Sequence, residues 1–360
     1  MFWKVWWLAT LMQMFAPKII VEPAHDWERL FMPSEGWIGS DCAYSVPLNQ
    51  NTLLWLYDDT FIGSIKDGKR TNAIMVRNSI GIQKGRFPDR AEVRFIWGKD
   101  NFGKPKDFIK PPDGKGWFWF GHGSVCDDKL WLFLWQFEPS EAEPPFNFAL
   151  KASWLAKVEN FHDEPEKWKF EFVPVPFFLQ SHERTICFGN AILSEGYWVF
   201  VYGVSEDKRH QPLKRSLIIA RIPKGEVDDF GSWRFYRQGN WISDWRNAET
   251  FGDDLGFEFT VSFVPSLKLY VAVYSPADLS PVVKIRWSQT PFGKWSEPIV
   301  AYQCPQRMWS SSVFCYAAKA HPFLSGAKDL LITYASNSFD FRLLLEDSRL
   351  YFPHFVRLKF

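Results

Sequence analysis

The 360-residue chain is poor in several things, and each shortage removes a class of protein. Its five cysteines (Cys42, Cys126, Cys187, Cys304 and Cys315) are odd in number and form no Cys-x-x-Cys pair, which argues against a zinc site or disulfide scaffold and for buried free thiols. No apolar run approaches the about 18 residues of a membrane-spanning helix. Charge of either sign is not in excess: 42 Lys+Arg stand against 41 Asp+Glu, a net charge of +1, so no basic field exists to hold nucleic acid. A Gly-rich phosphate loop, G-x-S-x-G and H-E-x-x-H are all missing, which leaves nucleotide transfer, serine hydrolysis and zinc proteolysis unsupported. No metal or cofactor is required by any motif. Helical periodicity is almost absent.

Aromatic residues, by contrast, are abundant. Phe, Trp and Tyr make up 18% of the chain, and all three favour strands and bury large areas. An all-β protein follows, with a thick aromatic core or an aromatic-lined ligand surface. The first residues stand apart: Phe2-Trp3-Lys4 and then Val5 to Ala16 have the form of a charged segment followed by a short apolar one. Met14 and Ala16 make only a weak cleavage pair, with Pro17 behind them. A leader over residues 1–20 and a plain N-terminus both stay open, and residues 21–360 read as one domain.

Five short runs repeat one character: Leu53–Tyr57, Leu130–Trp135, Trp198–Tyr202, Leu269–Tyr274 and Leu330–Tyr334. Each is β-branched or aromatic and too short for a helix, so each reads as a buried strand. Before each lies a second strand-like segment with one polar marker: Asp41, His122, Asn190, Glu258 and Tyr316, at intervals of 81, 68, 68 and 58 residues. A third segment follows each run, and some repeats add an aromatic fourth, as in 168–175 and 232–238. This spacing suits antiparallel four-stranded units, so a five-bladed β-propeller is expected. A pair of β-sandwiches is the alternative, but it does not explain one polar marker per repeat. In a propeller the innermost strands line a central channel, and the markers converge on one site.

Asp41 and Asp59 form the sharpest pair, at the head of one strand and the end of its neighbour. Two carboxylates across one bond are what glycoside hydrolysis needs. The competing reading has Asp59 capping the turn with Thr60 and Asp41 binding loop backbone. Asp58 should alternate to the opposite, solvated face. Glu258, between Phe257 and Phe259, points into the channel as a general acid or pairs with an arginine across it. His122, between Gly121 and Gly123, is a candidate for sugar binding or a satisfied structural histidine; Asn190 is a weaker sugar-binding candidate. Tyr316 completes the rim, whereas His321 before Pro322 reads as structural. Glu249, Asp253 and Asp254 read as a solvated loop. Trp37, Trp119, Trp241 and Trp309 lie near the same strand ends, where a sugar could stack, although most tryptophans must pack blades.

The run GSDCAYSVPL…LLWLYDDTFIG, with FGHGSV, FGNAI, FEFTV and the closing HPFL…LLITYASNS…YFPHFVRL, resembles a family first known as a domain of unknown function and now linked to endo-D-arabinanases, glycoside hydrolase family 183. It is also similar, more distantly, to five-bladed propeller glycosidases acting on arabinan, xylan and fructan. The resemblance spans residues 35–360 and is strongest in the first repeat. It implies that Asp41 and Asp59 are the catalytic carboxylates and Glu258 a third acidic site residue. The chain departs at Cys42, where glycine is common, and at Asp58, which replaces the glycine beside Asp59. The expectation is a monomeric, periplasmic or secreted glycoside hydrolase acting on a polysaccharide or oligosaccharide, with arabinan-like furanosides foremost. A non-catalytic carbohydrate-binding propeller is the alternative, and a scaffold for protein partners the third.

Overall fold

A computed structural model of the chain describes residues 17–142 and 147–360. Most of the candidate leader therefore lies outside the described residues. Five antiparallel sheets follow one another in sequence, with innermost strands Glu35–Pro47, Trp117–Cys126, Arg184–Glu195, Leu255–Val264 and Val313–Ala320. Each innermost strand lies beside the next, and the fifth returns to the first, so the ring closes. The fold is the expected five-bladed β-propeller. Ile20–Pro23 pairs with Pro353–Lys359 as the outermost strand of the fifth blade, so residues from both ends of the described chain share one sheet.

The strength of the aromatic runs has a direct cause. A blade is covered on both faces by its neighbours, so its second strand is apolar throughout instead of alternating. Every residue from Leu130 to Phe137 is buried. Leu130, Leu132 and Leu134 enter the core shared with the first blade, while Trp131 and Phe133 enter the core shared with the third. Full burial of one such side chain is worth about 1.5–3 kcal/mol. The aromatics are mainly packing between blades.

Two features were misread from sequence. The third segment of the first repeat, residues 73–82, is not the single strand expected after Leu53–Tyr57: Lys69–Val76 pairs with the far half of Thr52–Lys66, and Ser79–Lys84 pairs with the near half. The change of partner falls at Asp58 and Asp59, which frees their surroundings from regular pairing. The acidic loop is also less solvated than expected, because Asp254 is ion-paired with Lys284 and Arg286. Among the described residues, no helix is long and apolar enough to cross a membrane.

Candidate active site

Each innermost strand breaks register against its neighbour at its polar marker. The irregularities fall between Trp37 and Tyr44 in the first blade, opposite Leu132–Leu134 in the second, and at Phe188–Ala191, Leu255–Phe259 and Tyr316–Lys319 in the others. A β-bulge re-aims a side chain that regular alternation would bury in an interblade core. In the first blade the distortion is strongest: Cys42 and Ala43, directly after Asp41, both adopt positive φ (69° and 62°). Such backbone is unfavourable for non-glycine residues and persists only when its surroundings impose it.

These bulges direct Asp41, Asp59 and Glu258, and also Asp58 and Tyr316, into one cavity of about 490 Å³. Arg77, Trp119, Asn337 and Tyr351 line it as well, with an apolar wall that includes Phe148, Phe314, Phe339 and Phe341. The hydroxyls of Tyr316 and Tyr351 (the latter at 3.1 Å) both donate to Asp41 Oδ2, and Asn337 Nδ2 donates to the Tyr316 oxygen at 3.2 Å. Asp41 Oδ1 is buried with no hydrogen-bond partner among the described residues. Burial, reinforced by repulsion from Asp59 and Glu258, pushes the Asp41 carboxyl up to about 8.

Asp59 has different company. Arg77 Nη1 donates to both its oxygens at 3.1 and 3.2 Å, and Trp119 Nε1 donates to Oδ1 at 3.1 Å. Burial raises Asp59 too, but Arg77 and the Trp119 donor oppose that rise, and Asp41 has no cation doing so. The competing reading, in which the two aspartates serve turn and loop backbone, does not describe these contacts. Glu258 forms an ion pair across the channel as one alternative foresaw, but with Lys319 instead of an arginine.

Asp58 corrects the alternation argument. It is 5% exposed, accepts from the Phe120 N–H at 2.6 Å, and lines the acid cavity beside Asp59. Period-two alternation fails here because the pairing slips between Ser40–Thr60 and Cys42–Tyr57, which leaves Asp58 and Asp59 unpaired in a bulge. Burial and nearby Glu258 and Asp41 raise the Asp58 carboxyl well above the usual range.

Five sequence candidates do not line this cavity. His122 faces a separate pocket of about 240 Å³ with Ser45, Thr260 and Ser262. Its ring accepts from the Ile192 N–H at 3.0 Å and stacks on Tyr44, and burial pulls its pKa down to about 4, so it is a neutral structural histidine. The flanking glycines serve contact between blades: a Cβ on Gly121 would lie 2.7 Å from the Gly189 carbonyl. Asn190 is fully buried and spends its amide on the Phe257 carbonyl at 2.7 Å. Trp37 is buried against Phe95 at 4.3 Å between ring centroids. Trp309 packs on Arg349 and His354 outside the acid cavity. Trp241, for its part, sandwiches Arg221 with Trp198. Tyr316 does line the cavity.

Sequence reasoning missed Arg77, Tyr351 and Lys319. Lys319 had a signal, as a lone cation in an otherwise apolar strand where an unpaired charge is too costly to persist, whereas Arg77 lies in the bend between Lys69–Val76 and Ser79–Lys84 and had none. Tyr351 carried none either. Cys42, Asp58 and Glu258 bring donor atoms within 4.8 Å of one another, but the Lys319 ammonium already supplies that cluster with a cation, and burial keeps the thiol protonated.

The fold and site define a five-bladed propeller with an acidic cavity on its channel. The chain belongs to the DUF5005 family, a domain of unknown function whose model matches residues 24–359. Among solved structures it is similar to a candidate hydrolase from Bacteroides ovatus, with 18% identity over 94% of this chain and 90% of that one and a TM-score of 0.74. It is also similar to RS223-beta-xylosidase, with 9% identity over 94% of each chain and a TM-score of 0.50. At such identities the likeness establishes the fold alone. No curated protein matches the chain in sequence.

Proposed function

We propose that the chain is a glycoside hydrolase in which Asp41 is the general acid and Asp59 the ionised carboxylate facing it. The observation that carries this reading is the contrast between two aspartates on one cavity. Asp41 is buried without a cation and lifted to about 8, whereas Asp59 is held by Arg77 and Trp119. Carboxylates pushed apart in this way divide acid and base roles between them. With Tyr316 and Tyr351 donating to Oδ2, the proton of Asp41 belongs on Oδ1, the oxygen that has no hydrogen-bond partner among the described residues. Asp41 protonates the glycosidic oxygen as its bond to the anomeric carbon breaks, and Asp59 serves as nucleophile or as base for water. The phenylalanine wall provides flat apolar surface for sugar faces.

The substrate is a polysaccharide or oligosaccharide, with arabinan-type furanosides first in line, and such a substrate calls for an extracytoplasmic enzyme. The test is release of reducing ends from arabinans, xylan and fructans by the wild type, Asp41→Asn and Asp59→Asn. Hydrolysis by the wild type, reduced at least about 1000-fold in either variant, supports the proposal. Glycan binding without hydrolysis would favour a carbohydrate-binding propeller, and neither activity would exclude both.

A further inference from the structure

Lys319 is wholly buried on the innermost strand of the fifth blade, just past that strand's bulge. All three of its protons are used. It pairs with Glu258 of the fourth blade, donates to the Cys42 carbonyl of the first blade at 2.6 Å, and donates to the Ala317 carbonyl of its own strand at 3.1 Å. The ammonium also sits 4.4 Å from the centroid of the Tyr44 ring. One side chain therefore ties three blades together at the centre of the ring.

Its contact with Cys42 bears directly on the chemistry. Cys42 and Ala43 hold the left-handed backbone that turns Asp41 into the cavity, at a cost of about 1–3 kcal/mol per strained residue. A charge-assisted hydrogen bond to the carbonyl in the middle of that segment is strong enough to stabilise it. We propose that Lys319 is a positioning residue: by clamping the Cys42 carbonyl and Glu258 it fixes the backbone that aims Asp41 at the substrate. This inference rests on the acid role of Asp41, but its structural half can be tested without any activity.

The experiment is Lys319→Met and Lys319→Ala, read in two ways. The first is the 13Cα and 13Cβ shifts of Cys42 and Ala43, which report the left-handed conformation. The second is kcat and KM on whichever glycan the wild type cleaves. Shifts moving toward ordinary strand values, with kcat falling about 100-fold at little-changed KM, support the proposal, because misplacement by about 1 Å has that effect. Partial recovery of kcat in Lys319→Ala with added propylammonium supports it further, since the vacated space ends at Glu258 on the cavity wall. Unmoved shifts at Cys42 and Ala43, or a kcat equal to the wild type, overturn it. If the wild type cleaves nothing, the acid role falls while the shifts still decide the clamp. Breaking one side of a buried pair can unfold a protein. If Lys319→Met does so, the double variant Lys319→Met, Glu258→Leu removes both charges and carries the same shift measurement.

Discussion

Replacing Asp41 by asparagine should exchange activity for stability, and the sign and size follow from its environment. The folded protein lifts this carboxyl from the ordinary 3.8 to about 8, chiefly by burial and then by repulsion from Asp59 and Glu258. Between those values the folded state keeps a proton that the unfolded chain has released, so stability falls as pH rises through the window. Each unit is worth about 1.4 kcal/mol, which sets a ceiling of about 6 kcal/mol above pH 8, lowered to a few by relaxation around the charge. Below about pH 4 the effect is nil. Asparagine cannot ionise, yet its carbonyl still accepts from Tyr316 and Tyr351. Thermal unfolding of wild type and Asp41→Asn should therefore show nearly equal midpoints at pH 4 and a variant more stable by several degrees at pH 9. A difference that does not grow with pH would refute the assignment of a raised pKa to this residue.

Three further outcomes follow from the same geometry. Activity should fall along an alkaline limb near pH 8 as Asp41 loses its proton, and a limb at the same place in a variant lacking Asp41 would disprove its origin. Trp119→Phe removes a donor that favours ionised Asp59, so the acidic limb should move to higher pH and kcat fall about 10-fold; an unmoved limb would show that the indole only packs. Gly189→Ala should lower stability by about 3 kcal/mol or more, seen as a reduced urea midpoint, because φ is +98° and the new Cβ would overlap the Phe133 ring; a wild-type midpoint would contradict the packing of the inner strands.

The architecture was legible because propeller physics writes it into local composition. A blade covered on both faces needs a fully apolar second strand, and the five runs from Leu53–Tyr57 to Leu330–Tyr334 meet that need. The innermost strands were legible for the opposite reason: a polar residue amid apolar neighbours, such as Glu258 between Phe257 and Phe259, stands out. The residues that support the site were less visible. Arg77 reaches Asp59 only because the long strand of the first blade changes partners, and Tyr351 reaches Asp41 from 310 residues away.

What the sequence determined by itself was the number of blades, the strands facing the channel, and the first blade as the site of paired acids. Which end of the channel each polar marker faces was decided by tertiary structure alone. The five innermost strands are bulged, and one bulge reverses the side-chain alternation that follows it. Period-two reasoning therefore sent Asp58 to solvent, whereas the fold turns it into the acid cavity; the marker His122 faces a separate pocket. The distinct environments of Asp41 and Asp59 are likewise a product of assembly: burial and neighbouring carboxylates raise the first with no cation to oppose them, whereas Arg77 and the Trp119 indole oppose the rise at the second.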